Sequence, residues 1–326
     1  MGNARAADAL REALVSRRMK TATAAHRELW KKLATEKKLA KHAGPLFGYA
    51  APCFLVERLT RGAGGVGASR LGGAPDLPAT LAWPTRGATH LTFVAQIDLS
   101  ALTPDWVPDL PRSGWLYFFV GRDEPAWDVA HEVLYFDGPR EALSPASAPS
   151  GTHALEEGSP NDFVAHQIRF APSFVVDPAA EEALDLEEFA LELLTATATQ
   201  IGGLPVAWDE DARQDAYLLR SGLAPLLHRL HCEPDELAQE AKEAWAAAND
   251  VLAEELERAT ELLRAYRADE RAHEARMKQW RVLFLLASHH EVGMCWWDAG
   301  LLQFLVHHDD LDGRRFDRTY CCVSSS

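Results

Sequence analysis

Three clusters along the chain carry side chains able to ligate a metal. His228-x-x-His231-Cys232 would set two ligands on one helical turn. His289-His290-Glu291 and His307-His308-Asp309-Asp310 are denser. Adjacent residues of a strand point to opposite faces, so neighbouring histidines rarely share one ion. No third ligand stands near the first cluster in sequence, and Leu227–Leu230 reads as ordinary helix. No metal centre and no cofactor is predicted. The two dense clusters carry an alternative reading, a metal-dependent enzyme or small-molecule sensor with a His-rich site.

Other catalytic signatures are missing. There is no Gly-x-Ser-x-Gly elbow. The five cysteines, at 53, 232, 295, 321 and 322, form no CxxC and none sits in the context of a known nucleophile. Asp209-Glu210-Asp211 reads as a solvated acidic turn. Arg61–Gly67 holds Gly62, Gly64, Gly65 and Gly67, but no Gly-Lys-Ser/Thr follows and the next stretch is Pro-rich, which excludes a phosphate loop.

Aromatic residues are the stronger signal. The chain has 10 tryptophans in 326 residues, and Trp is favoured at binding surfaces as well as in cores. Trp83-Pro84 and Trp296-Trp297-Asp298 are the features of this kind. Gln96 and Asp98, beside a strand end, offer polar groups to the edge of a bound peptide. Trp83, Gln96, Asp98, Trp296, Trp297 and Asp298 are therefore the predicted partner contacts.

Elements must position these residues. Residues 4–41 lack Pro and Gly, are rich in Ala, Leu, Arg, Lys and Glu, and predict a helix that Gly44-Pro45 ends. Apolar runs predict strands at 53–59, 91–97, 114–120, 129–136, 166–176, 282–287, 301–306 and 316–323. Asp177-Pro178 opens a predicted helix running to about Thr197. The Pro/Ser/Gly-rich stretch 139–157 is the predicted boundary. Residues 234–280 predict one helix or a hairpin of two, with Leu237, Ala241, Trp245, Ala248, Leu252, Leu256, Ala259, Leu263 and Tyr266 in a single stripe. That stripe packs on a sheet or serves as an arm for a partner.

Two sets of motifs recur in order. Leu71-Gly72-Gly73-Ala74-Pro75 returns as Ile201-Gly202-Gly203-Leu204-Pro205, and Gly114-x-Leu-x-Phe-x-Val120 returns as Gly300-x-Leu-x-Phe-x-Val306. A strand-like segment precedes the second motif each time. The pattern predicts an internal duplication, in which Gly72, Gly73, Pro75, Gly114, Gly202, Gly203, Pro205 and Gly300 shape turns. The gap between two such copies is a natural cleft.

The resulting expectation is an α+β fold with a strand-rich core of two similar halves. A basic helix over 1–43 precedes a first module over 44–158 and a second over 159–326, the latter holding the helical insertion at about 234–280. Net charge is −15, yet residues 1–43 hold eleven Lys and Arg against four Asp and Glu. An acidic body disfavours nucleic acid, except through that basic helix. No apolar run reaches the ~20 residues that span a bilayer. The unpatterned thiols fit a cytoplasmic protein.

Ser69-Arg-Leu-Gly-Gly-Ala-Pro75, Trp83-Pro84, Phe93-Val-Ala-Gln-Ile-Asp-Leu99 and Gly114-x-Leu-x-Phe-Phe119 resemble the bacterial YwqG-like family, as do Trp297-Asp-Ala-Gly-Leu-Leu-Gln-Phe304, Asp310-Leu311 and Phe316. The resemblance covers roughly residues 50–323. It implies a β-rich fold of two similar halves and a distant link to the programmed-cell-death-protein-two and Tsr4 proteins, chaperones of a ribosomal protein. Some members of the resembled family have been proposed as immunity proteins against polymorphic toxins, which the resemblance extends to this chain as an expectation. The expected function is a non-catalytic protein-binding module, of chaperone, adaptor or immunity type, that holds a segment of another protein by a sheet edge or in the cleft.

Overall fold

Segments rich in β-branched and aromatic residues, set between glycine and proline breaks, form the strands of the computed structural model, which describes residues 22–121, 127–150, 152, 163–186, 191, 198–206 and 211–325. Residues 4–21 of the helix predicted over 4–41, most of the helix predicted from Asp177 to Thr197 beyond Leu186, and Asp209-Glu210 lie outside these residues. The strands are β1 (Ala50–Arg61), β2 (Arg70–Leu71), β3 (Asp76–Pro78), β4 (Thr85–Arg86), β5 (Thr89–His90), β6 (Thr92–Asp98) and β7 (Trp115–Val120). They continue as β8 (His131–Phe136), β9 (Leu143–Pro145), β10 (His166–Val176), β11 (Gln200–Gly202), β12 (Trp280–Ala287), β13 (Leu301–His307) and β14 (Tyr320–Ser324). The helices are α1 (Ala24–Glu36), α2 (Ala43–Phe47), α3 (Ala179–Ala183), α4 (Ala212–Arg220), α5 (Pro234–Ala246), α6 (Asp250–Ala268), α7 (Glu270–Met277) and α8 (His308–Asp312). The chain is α+β, built on one large antiparallel sheet.

That sheet has ten strands in the order β14-β13-β12-β11-β1-β10-β2-β6-β7-β8. Read outward from the β1–β10 pair, each direction meets the same series. First comes a short strand running into Gly-Gly, then a bulged strand, then the Gly-x-Leu-x-Phe-x-Val strand, then a short edge strand. The bulges coincide as well. The β6–β7 register slips between Phe93 and Ala95, and the β12–β13 register slips between Val282 and Phe284. The residue opposite each slip is the motif phenylalanine, Phe118 or Phe304.

The two sequence halves are interleaved at the centre. β1 lies between β10 and β11, while β10 lies between β1 and β2. Each half therefore gives its first strand to the neighbourhood of the other. The sheet also curls, so that its outer strands meet. Val129 N donates to the Cys321 carbonyl at 2.9 Å, and His131 Nε2 lies 3.1 Å from Thr319 Oγ1.

Both faces of the two outer wings of the sheet are covered, whereas Glu57, Arg58, Arg61, Gln167 and Arg169 stay exposed at the far ends of β1 and β10. The inner faces share one buried cluster that includes Ile97, Leu116, Phe118, Phe284, Leu302 and Phe304. The expected cleft between the halves is instead filled by these side chains, because a curled sheet must bury its concave face. Outside the first half, Leu77 of β3 and Leu143 of β9 cover Phe93, Trp115, Tyr117 and Phe119. Outside the second, α4, α5 and α6 cover Trp280, Leu305, Tyr320 and Cys322.

Element boundaries refine the sequence pattern at several points; the helix predicted from Asp177-Pro178 stops already at Ala183, with Asp185 left-handed at φ 50. The N-terminal helix stops at Glu36, with Lys38 left-handed at φ 61, and Pro45 lies inside the short α2. At its start Thr23 accepts from His26 N, and His26 Nε2 reaches the Trp106 carbonyl at 2.9 Å. Residues 234–280 are a hairpin, α5 against α6, followed by α7. Trp245, Ala248 and Leu252 are exposed because the turn between α5 and α6 interrupts the stripe. Residues 316–318 form a 3-10 turn before β14, not strand.

Candidate functional site

The bulge in β6 turns Phe93, Gln96 and Asp98 to the outer face, where β2 and β7 supply Arg70, Trp115 and Tyr117. These side chains form a closed polar network. Arg70 and Asp76, 3% and 1% exposed, make a buried ion pair. Asp76 Oδ2 also accepts from Gly67 N at 2.7 Å and from Gln96 Nε2 at 3.2 Å. Gln96 Oε1 accepts from Asp76 N, and Tyr117 OH donates to the Asp76 carbonyl at 2.8 Å. Beside it, Asp98 accepts from Ser100 N and from Arg140 at 2.6 Å. Burial lowers the basicity of Arg70, and Asp76 opposes that shift; burial pushes the Tyr117 hydroxyl up. The glycine-rich loop 62–67 is thereby tied to the network, through Gly67 N and through Trp115 Nε1 on the Gly67 carbonyl.

The second half repeats this geometry without the charges. Gln200 pairs with Leu285 as Arg70 pairs with Gln96. Val206 follows its Gly-Gly-x-Pro turn as Asp76 follows the first. Gln303 Oε1 accepts from Val206 N and Gln303 Nε2 donates to the Val206 carbonyl, both at 2.9 Å. Thus one glutamine does in the second half what Gln96 and Tyr117 share in the first. Gly72, Gly73, Gly202 and Gly203 all have left-handed φ, between 62 and 87 degrees. Pro75 and Pro205 leave these turns, while Gly114 and Gly300 directly precede β7 and β13.

The predicted partner contacts divide by burial. Gln96 and Asp98 are 0% and 4% exposed and cannot touch a partner in this arrangement. Trp296 is 6% exposed, with its ring against Phe163. Trp83 is half-buried; its indole donates to the Leu91 carbonyl at 2.8 Å and meets Phe119 edge to face. Trp297 is 50% exposed, and Asp298 beside it is exposed too. Trp297 and Ala299 hold left-handed φ of 49 and 57 degrees. The tip is anchored by Ser325 Oγ, which donates to the Asp298 carbonyl at 3.3 Å, and by Cys295 on the Trp297 carbonyl.

The histidines do not converge. In the β12–β13 ladder Trp280 faces His307 and Ala287 faces Leu301, so His289 and His307 stand at opposite ends. His289 is half-buried on Thr199 Oγ1 at 2.7 Å, and burial lowers its pKa. His307 meets Gln279, and His308 lies between Asp109 and Asp312. His228 has a left-handed φ of 60 in a turn, not the helix its spacing suggested, with its ring on Trp127. Among the described residues no three His, Cys, Asp or Glu are grouped to hold a metal. All five cysteines are free, and burial pushes the Cys53 and Cys322 thiols up, which makes them poor nucleophiles.

Sequence reading missed an open groove of about 380 Å³ between Asp109–Ser113 and Leu311–Arg314. Arg112 forks onto Asp105, and Arg314 reaches Asp137 at 2.7 Å. Each guanidinium thus faces a carboxylate. The groove and the Trp297 tip lie at opposite ends of β13, on the order of 20 Å apart at ~3.3 Å per residue. Sequence reading also missed Arg70 and Asp76. A signal existed: the first Gly-Gly-x-Pro motif is flanked by charged residues where the second is flanked by Gln200 and Val206.

A family model described as a domain of unknown function (DUF1963) matches residues 69–324. No curated protein matches the chain.

Proposed function

This chain belongs to the DUF1963 family, and we propose that it is a non-catalytic protein-binding module whose contact surface is the Trp297 tip. The observation that carries this is the indole itself. It is half exposed on a left-handed backbone, a conformation that costs a non-glycine residue about 1–2 kcal/mol. An exposed aromatic on an anchored turn suits a binding hot spot. Asp298 stands beside it as a polar partner, and the end of β14 is tied to the same tip.

The YwqG-like resemblance supports this reading. On it, the partner is a segment of another protein, and the role is that of a dedicated chaperone, adaptor or immunity-type protein in the cytoplasm. The matching bulges and Gly-Gly turns support descent of the two halves from one duplicated module. No helix among the described residues is long and apolar enough to cross a membrane.

Affinity capture with the full chain and its Trp297→Ala variant tests the site. One near-stoichiometric protein held by the first and lost by the second is the expected result. Equal capture by both would remove the tip from the reading.

A further inference from the structure

The turn between α5 and α6 exposes an apolar tip that the core does not use. Trp245 near the end of α5 is 41% exposed, and Val251 and Leu252 at the start of α6 are 80% and 39% exposed. Ala246, Ala247 and Ala248 between them are exposed as well. Deeper in the hairpin, Leu237, Ala241, Leu256, Ala259 and Leu263 face inward, so the exposure is confined to the tip. The tip is also set in place. Ala248 takes φ 54, Asn249 Oδ1 accepts from Leu252 N, and the Trp245 indole donates to Glu257 at 2.9 Å.

Carboxylates surround it. From Glu233 to Glu257 the sequence has nine Asp and Glu against one base, Lys242. Glu233, Asp235 and Glu255 face Arg267, Arg264 and Arg229. Glu243, Asp250 and Glu254, beside the tip, are exposed.

Charge decides among occupants. A second copy would bring the same carboxylates against themselves. An anionic bilayer surface would be repelled in the same way, since the tip lacks the Lys/Arg cluster that such surfaces attract. A helix with apolar residues at i, i+3 and i+4 and Lys or Arg on its flanks satisfies both the apolar centre and the acidic rim. We propose that the α5–α6 tip docks a basic amphipathic helical segment of a partner protein, with Trp245, Val251 and Leu252 as apolar anchors and Glu243, Asp250 and Glu254 as the rim. This surface does not depend on the Trp297 reading.

The probe is a labelled peptide of about eighteen residues made of Leu and Lys, with Leu at every third or fourth position, long enough to form a helix on binding. Fluorescence anisotropy with the full chain reads its affinity. Substituting Trp245→Ser, Val251→Ser and Leu252→Ser together should weaken binding about tenfold or more, as loss of apolar anchors does. A scrambled peptide of equal composition should bind as weakly. Substituting Glu243→Gln, Asp250→Asn and Glu254→Gln should weaken binding and flatten its salt dependence, while Val66→Ser, at an exposed apolar residue of the first half, should leave it unchanged. All six tip and rim positions are exposed, so circular dichroism should not change. Equal binding by the triple serine variant would mean diffuse attraction to the acidic body and would overturn the proposal. So would a dimer in sedimentation, or retention on phosphatidylcholine vesicles, that the serine variant abolishes.

Discussion

Phe118 and Phe304 hold the same place in the two Gly-x-Leu-x-Phe-x-Val strands, and their rings meet edge to face with centroids 5.0 Å apart. Phe284 closes on Phe118 at 4.7 Å, so three buried rings join the inner faces of the two halves. Replacing either Phe118 or Phe304 by Ala should cost about 3–5 kcal/mol in urea unfolding. The double variant should cost less than the sum, by about 0.5–1.5 kcal/mol for the ring pair. Strict additivity would show that the two halves do not stabilise each other through this contact.

The buried Arg70–Asp76 pair gives a sharper test. Asp76→Val leaves the Arg70 charge buried without its partner, which should cost about 3–5 kcal/mol. Adding Arg70→Gln installs the residues that the second half uses at Gln200 and Val206. The double variant should be more stable than Asp76→Val alone, although Gly67 N still loses its acceptor, worth about 1–3 kcal/mol. Thermal melts of the three proteins give the order. A double variant less stable than the single would mean that Arg70 contributes more than charge compensation at this site.

The longer strands were legible because their apolar runs end at Gly, Pro or charged residues, and β10 falls on its predicted bounds, 166–176; the two- and three-residue strands β2, β3, β4, β5, β9 and β11 were not, because so short a segment shows no apolar run or alternation. What lies on which face was not legible. Every residue of β6 is buried, since the ribbon of β3 and β9 covers its outer side, and alternation carries no information in a strand covered on both faces. Gln96 and Asp98 read as exposed for that reason. Trp296 and Trp297 are adjacent, so composition could not tell which one faces out; the left-handed turn at Trp297 decides it. The interleaving of β1 and β10 was also hidden, because strand pairing between segments more than a hundred residues apart is set by tertiary packing.

A Gly-Gly turn of this kind can be tested against an open one. Gly73 has φ 70, and a Cβ there would lie 2.5 Å from the Ala165 Cβ. Gly87 has φ 59 and nothing within 4 Å of its Cβ. Gly87→Ala should cost about 1–2 kcal/mol for the left-handed backbone alone. Gly73→Ala adds a steric overlap worth about 1–3 kcal/mol more. Equal losses in urea unfolding would show that β10 can move away from the turn.

Closure of the sheet should respond to pH through His131. Its Nδ1 lies 2.6 Å from the Val129 carbonyl and so carries the proton, leaving Nε2 toward Thr319. Burial lowers the His131 pKa below the ordinary value, with Arg220 acting in the same direction. A lowered histidine pKa means that the unfolded chain binds the proton first. The stabilisation is complete above the unfolded pKa of about 6.5 and is lost as pH falls from there toward the folded pKa. The melting temperature should therefore drop between pH 7.5 and 5, and the drop should shrink in His131→Gln. An unchanged pH slope in that variant would assign the effect to other groups, His289 first.

Trp297→Gly separates a binding role from a structural one. The wild-type residue sits at φ 49, where glycine carries no Cβ penalty, and the indole is half exposed. Removing the side chain should therefore stabilise the fold by about 0.5–1 kcal/mol, or leave it unchanged if the added freedom of the unfolded chain cancels the relief. Partner capture should fall at the same time. A structural Trp would behave in the opposite way, with Trp297→Gly losing several kcal/mol as buried aromatic truncations do. Urea unfolding and capture measured on the same preparation would then fall together, and the tip would be part of the framework that holds β12 against β13. Stability kept or raised while capture is lost would assign the indole to a partner and not to the framework of the fold.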